Sequence, residues 1–197
     1  MGHDDDVRAD LRLFLDQARD ALVWKLDGLG EYDARRPVTP TGTNLLGLLK
    51  HAANLEMGYL GLVFDQPFPD PPAWFGTVDP LVDMWATAEE SRADLLDLHR
   101  RARDHADATI DALPLDAPGR VPWWPPDRAG VTLHRVVLHL TADLVRHAGH
   151  ADVLRELVDG AVGLRPDRSN LPDGDATFWS DHRRRVERAA RDASDDP

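Results

Sequence analysis

The segment "ADLVRHAGHADVLRE", residues 142–156, sets Asp143, His147 and His150 within eight positions of one another. On an α-helix each residue turns about 100°, so Asp143 and His147 lie about 40° apart and His150 about 60° from His147. All three share one face. His139 projects about 20° from His150 but sits about three turns away along the axis, too far to ligate the same ion. Imidazole and carboxylate donors together suit a zinc-like or nickel-like divalent ion, and three protein ligands leave a position open for water or substrate. An ion so held lowers the pKa of a bound water or thiol and makes a nucleophile near neutral pH. The alternative is an ordinary half-solvated face whose polar groups bond to one another.

A second segment bears on the choice. "LLGLLKHAANLE", residues 45–56, places His51 among Leu48, Leu49 and Ala52 in a stretch with little charge. An imidazole in apolar surroundings needs a partner. It is either a core histidine bonded to a backbone carbonyl or a ligand facing the cluster on the later helix, since bundle proteins build metal sites from side chains on facing helices. Glu56 projects about 140° from His51 and is assigned to a salt bridge. His99 is read as structural, whereas His3, His105, His134 and His182 stand in polar surroundings and carry no argument.

Four long helical segments must position these residues. The first, within residues 6–30, has Val7, Leu11, Phe14, Leu15, Ala18, Leu22, Leu26 and Leu29 at three- and four-residue steps and stops at Gly28 and Gly30. The second starts from a Thr41 or Thr43 cap, carries Leu45, Leu48, Leu49, Ala52, Leu55, Tyr59 and Leu62, and ends before Pro67. Its interior glycines, Gly47, Gly58 and Gly61, imply close packing against a neighbour or a ligand. The spacing of Leu81, Trp85, Ala88, Leu95, Leu98, Ala102 and Ile110 predicts a third helix over residues 80–113. The fourth runs from a Thr132 cap to Gly160 with Leu133, Val137, Leu140, Leu144, Ala148, Ala151 and Leu154 inward, and a short polar helix over 176–194 is expected to lie across the bundle.

Between the second and third helices, "QPFPDPPAWFGTVDP" is too rich in proline for helix and too long for a tight turn, so the chain crosses over there. Such a crossover lets the second and third helices run in the same direction. In "PLDAPGRVPWWPPDRAG" the adjacent Trp123 and Trp124 either plug a bundle end or face substrate, and the structural role is the expectation. No strand-like alternation or internal repeat is evident. The fold class is all-α: a four-helix bundle plus a C-terminal helix, as one domain over residues 1–197.

Composition narrows the function. A net charge of −12 repels phosphate backbones and anionic lipid, which argues against nucleic acid and membrane partners. No apolar run is long enough to span a bilayer and "MGHDDDVRAD" lacks the regions of a signal peptide, so a cytoplasmic location is expected. Cysteine is absent, which excludes disulfides and a protein thiol nucleophile.

"TPTGTNLLGLLKHAANLE", "LHLTADLVRHAGHADVLRE" and "RPDRSNLPDGD" resemble an actinobacterial branch of the DinB-like superfamily, related to mycothiol-dependent maleylpyruvate isomerase and to the mycothiol and bacillithiol S-transferases. The resemblance implies an up-down-down-up bundle and a metal held by a histidine of the second helix and two residues one turn apart on the fourth. His51 matches the first position. Asp143 and His147 stand where members carry His-x-x-x-His or Glu-x-x-x-His. Aspartate is one methylene shorter than glutamate, and His150 is the substitute if Asp143 falls short.

Two readings follow. In the first, a divalent ion on His51, His147 and Asp143 or His150 activates a small thiol, mycothiol by resemblance, which attacks an electrophilic substrate in a transferase or isomerase reaction. In the second, the protein is a non-catalytic bundle, as a monomer or homodimer, whose histidines satisfy one another or hold a structural metal.

Overall fold

The computed structural model describes residues 3–194, with His3 by its backbone only; the first residues of "MGHDDDVRAD" lie outside it. Its helices are α1 (His3–Trp24), α2 (Glu31–Arg35), α3 (Leu45–Glu56), α4 (Arg92–Ala112), α5 (Leu133–Asp159) and α6 (Ala176–Ser194). Among the described residues the protein is all-α apart from an antiparallel ribbon, in which β1 (Pro118–Arg120) pairs with β2 (Gly130–Thr132), and an isolated bridge between Arg165 and Arg168. That ribbon, three residues a side, is too short to show as alternation in the sequence.

α1 packs against α5 and α3 against α4, while α3 also touches α1 and α5. The buried cluster takes Leu11, Leu15, Ala18 and Leu22 from α1, Leu45, Leu48, Leu49 and Ala52 from α3, Leu95, Leu98, Ala102 and Ile110 from α4, and Leu133, Val137, Leu140 and Leu144 from α5. Phe14, expected on the inner stripe of α1, is exposed at its border. α1 stops at Trp24, with Gly28 supplying a positive φ in the turn beyond it.

α5 has the expected bounds. The Thr132 side chain accepts from Arg135 N, and Gly160 closes the helix at φ +79. α3 is capped by Asn44 rather than Thr41 or Thr43: the Asn44 carboxamide oxygen accepts from Gly47 N at 2.7 Å. Past Glu56 the helix widens into a π-turn (Met57–Gly61) and tightens into a 3₁₀ turn (Leu62–Phe64).

The largest difference from expectation is residues 80–91, which are not helical. α4 begins only at Arg92, because Ser91 caps it through Asp94 N. Leu81, Trp85 and Ala88 are exposed. The segment lies instead on α3: the Met84 carbonyl occupies the space at Gly47, where an added Cβ would come within 1.9 Å of its oxygen. Trp85 and Glu90 receive the buried Lys50 ammonium. α6 matches its expected span but buries no residue, so it does not lie across the bundle. Ion pairs run along its own length, from Arg184 to Asp181 and from Arg191 to Glu187.

Candidate functional site

α3 and α5 bring two imidazoles together. The His51 and His147 rings lie 4.8 Å apart between centroids, nearly perpendicular at 79°. His51 is oriented from behind: its Nδ1 is 2.8 Å from Asp83 Oδ2, and Asn54 Nδ2 donates to the same oxygen at 2.5 Å. Asp83 sits in the non-helical segment, 5% exposed. Burial alone would raise its carboxyl, but the His51 and Asn54 hydrogen bonds outweigh burial and hold it below the usual carboxylate range. With Nδ1 so engaged, Nε2 is the His51 nitrogen left for a ligand.

On α5, His147 Nε2 lies 3.3 Å from Asp143 Oδ1. The His147 hydrogen bond holds the Asp143 carboxyl low against the opposing effect of burial, and the nearby His51 and His139 add to it. His147 Nδ1 is buried with no hydrogen-bond partner among the described residues. His150 is exposed, its ring 5.6 Å from that of His147. Of the four sequence-derived candidates, His51, Asp143 and His147 are thus brought together, and His150 stands at the solvent edge. Among the described residues, no group of three or more His, Cys, Asp and Glu side chains is arranged to hold a metal ion.

A cavity of about 370 Å³ opens beside His51. Tyr59, Trp74, Phe75 and Trp123 wall it with aromatic surface, and Asp79 and Asp83 are its carboxylates. No lysine or arginine lines it. Trp123 and Phe75 therefore stand at the site, whereas Trp124 packs behind, its ring 4.9 Å from His139 and 6.0 Å from Tyr59. The glycines of the second segment are packing glycines as expected: a Cβ at Gly58 would meet Trp123 Cη2 at 3.3 Å and one at Gly61 the Gln66 carbonyl at 3.0 Å.

The remaining histidines separate cleanly. His99 is buried between helices, as its structural reading requires, and Glu56 forms the expected salt bridge, to Arg19. His105 differs from its reading as a polar-surface residue, since it packs edge-on against Phe68 at 5.5 Å. Sequence reasoning missed Asp83, Asn54 and Asp79. A helix through residues 80–91 gave Asp83 no reason to face His51, but the Ser91-x-x-Asp94 capping signal marks the true start of α4.

The mycothiol S-transferase family profile matches residues 10–160, three quarters of the sequence and all of α1 to α5 but the N-terminal residues 3–9 of α1. The chain belongs to the mycothiol S-transferase family. This places it in the DinB-like superfamily. No curated protein matches it. Among the described residues no helix is long and apolar enough to cross a membrane.

Proposed function

We propose that the protein is a cytoplasmic, divalent-metal-dependent S-transferase with mycothiol as its thiol, built on an up-down-down-up four-helix bundle. The observation that carries this reading is the convergence of His51 and His147 from two helices beside an aromatic cavity. The donor set fits a zinc-like ion in kind: two imidazoles and a carboxylate, with His51 backed by Asp83 as metal-bound histidines are commonly backed by a carboxylate. The 3.3 Å between His147 Nε2 and Asp143 Oδ1 matches the roughly 3.3–3.4 Å that separates two ligands about 2.0–2.1 Å from a tetrahedral ion. His51, His147 and Asp143 would hold the ion, with His150 as the alternative third donor. When bound, such an ion lowers the pKa of a thiol.

The chain's own residues do the rest. Asp83 and Asn54 fix the ring of His51. Tyr59, Trp74, Phe75 and Trp123 present flat apolar surface to the electrophile. In the transfer the thiol loses its proton, its sulfur bonds to the electrophilic carbon, and the leaving group departs with the bonding pair. A cavity with two carboxylates and no basic side chain favours an uncharged electrophile, and so favours transfer over isomerisation of a dicarboxylate. Unchelated protein should carry one ion per chain by elemental analysis and consume mycothiol with 1-chloro-2,4-dinitrobenzene. His51→Ala and His147→Ala should each abolish stoichiometric binding with helicity intact; metal retained in either variant refutes the site.

A second reading has its own observation. Both imidazoles already meet carboxylates, His51 with Asp83 and His147 with Asp143, and among the described residues no three donors form a ready group. A non-catalytic bundle would have this arrangement. A site that stays empty after reconstitution with zinc or nickel decides for it.

A further inference from the structure

Tyr59 sits in the π-turn that follows α3, lines the cavity and is 6% exposed. Three nitrogens converge on its hydroxyl: Trp123 Nε1 at 3.3 Å, Trp124 Nε1 at 3.2 Å and His139 Nε2 at 3.1 Å. An indole nitrogen can only donate, so both tryptophans give their protons to the phenolic oxygen. That fills its accepting capacity. The hydroxyl's own proton has one partner left, His139 Nε2, which must therefore be the bare nitrogen of a neutral ring protonated at Nδ1.

We propose that Tyr59 is the positioning residue of this cavity, its hydroxyl tying the tryptophan loop to α5 and holding Trp123 in place as one wall. The saturated oxygen has no lone pair for a substrate, so Tyr59 acts through Trp123 rather than on the reacting atoms. The two tryptophans depend on it unequally. Trp124 is also covered by the Arg135 guanidinium, 5.7 Å from its ring. Trp123 is 50% exposed and is held by Tyr59, with its ring 5.2 Å away, and by its contact over Gly58. The assignment concerns the cavity of the proposed transferase, and only its kinetic consequence rests on that reading.

Nitrogen-resolved NMR of the full-length protein tests it without metal or thiol. The wild-type spectrum should show His139 with a bare Nε2 and a protonated Nδ1. Tyr59→Phe keeps the ring and deletes the hydroxyl, so both indole N–H resonances should move and exchange with solvent about 10-fold faster, Trp123 the more. Gly58→Ala should move the Trp123 resonance and leave that of Trp124 in place. A protonated Nε2 on His139, or unchanged indole signals in Tyr59→Phe, overturns the proposal. Should Tyr59→Phe fail to fold, the wild-type tautomer and Gly58→Ala still decide. If the protein turns over mycothiol, Tyr59→Phe should raise KM for 1-chloro-2,4-dinitrobenzene about 5-fold with kcat within about 2-fold. Absence of turnover in the wild type counts against the transferase alone and leaves the NMR outcome standing.

Discussion

Two polar clusters are buried among these helices, and they are built on opposite principles. Between α1, α3 and α4, Arg19 and Glu56 are both fully buried and meet in a two-pronged pair, Nε to Oε1 at 2.9 Å and Nη2 to Oε2 at 3.1 Å. Asp16 and Asp107 take the remaining guanidinium nitrogen. Burial works against the Arg19 charge, but Glu56 and Asp107 more than reverse it and raise its pKa. Between α3 and α5, by contrast, His147 keeps a buried nitrogen with no hydrogen-bond partner among the described residues, and His51 borders an open cavity. A saturated cluster has nothing left to bind with. An unsaturated one beside a cavity carries a desolvation cost that a ligand or a water can relieve, and the proposed site rests on that contrast.

The contrast predicts that Glu56 serves stability and Asp83 the proposed site, and substitutions can pull them apart. Glu56→Ala strands a buried guanidinium and should cost about 3 kcal/mol, a fall of roughly 10 °C in Tm, with metal affinity of the folded fraction unchanged. A normal melting curve with lost metal would reverse the comparison. Asp83→Asn should do the opposite, lowering zinc affinity about 10–100-fold in a chelator competition while Tm moves by no more than about 2 °C.

A third buried group stands between the two cases, since His99 is 3% exposed beside the closed cluster and its Nε2 has no hydrogen-bond partner among the described residues. Burial, reinforced by the charges of Arg19 and Arg103, pushes His99 down to about 3. The unfolded chain binds the proton near pH 6.5 and the folded chain does not, so stability is full above that pH and drains as pH falls toward 3. His99→Leu should therefore flatten the pH dependence of Tm between about 6.5 and 3. The smallest effect belongs to the outer surface. Arg100, paired with Asp97 and Asp104 but 60% exposed, should leave the midpoint of urea unfolding unchanged when replaced by alanine.

Legibility in the sequence followed the same division. α5 could be read to the residue because its cap, its apolar stripe and its closing glycine are local signals that agree. Asp143 and His147 could be named because helical spacing converts directly into a shared face, and His51 because its apolar flanks leave an imidazole in need of a partner. Asp83 could not, since its position depends on a long-range docking of residues 80–91 on α3 that overrides the helical spacing of Leu81, Trp85 and Ala88. Trp123 was visible as a loop aromatic, but its place on the cavity wall depends on Tyr59, more than sixty residues earlier. Asp83 and Asp79 were missed because irregular backbone supplies them, and Asn54, on α3, was missed because its partner Asp83 was.

Gly47 shows how far that dependence reaches. Its missing side chain is the gap into which the Met84 carbonyl sinks, and Met84 is the immediate neighbour of the carboxylate behind His51. A methyl group there would shove that strand of backbone outward and carry the carboxylate off its imidazole. One hydrogen atom in place of a methyl, on the far side of the helix cap, thus keeps a ring one turn away correctly aimed.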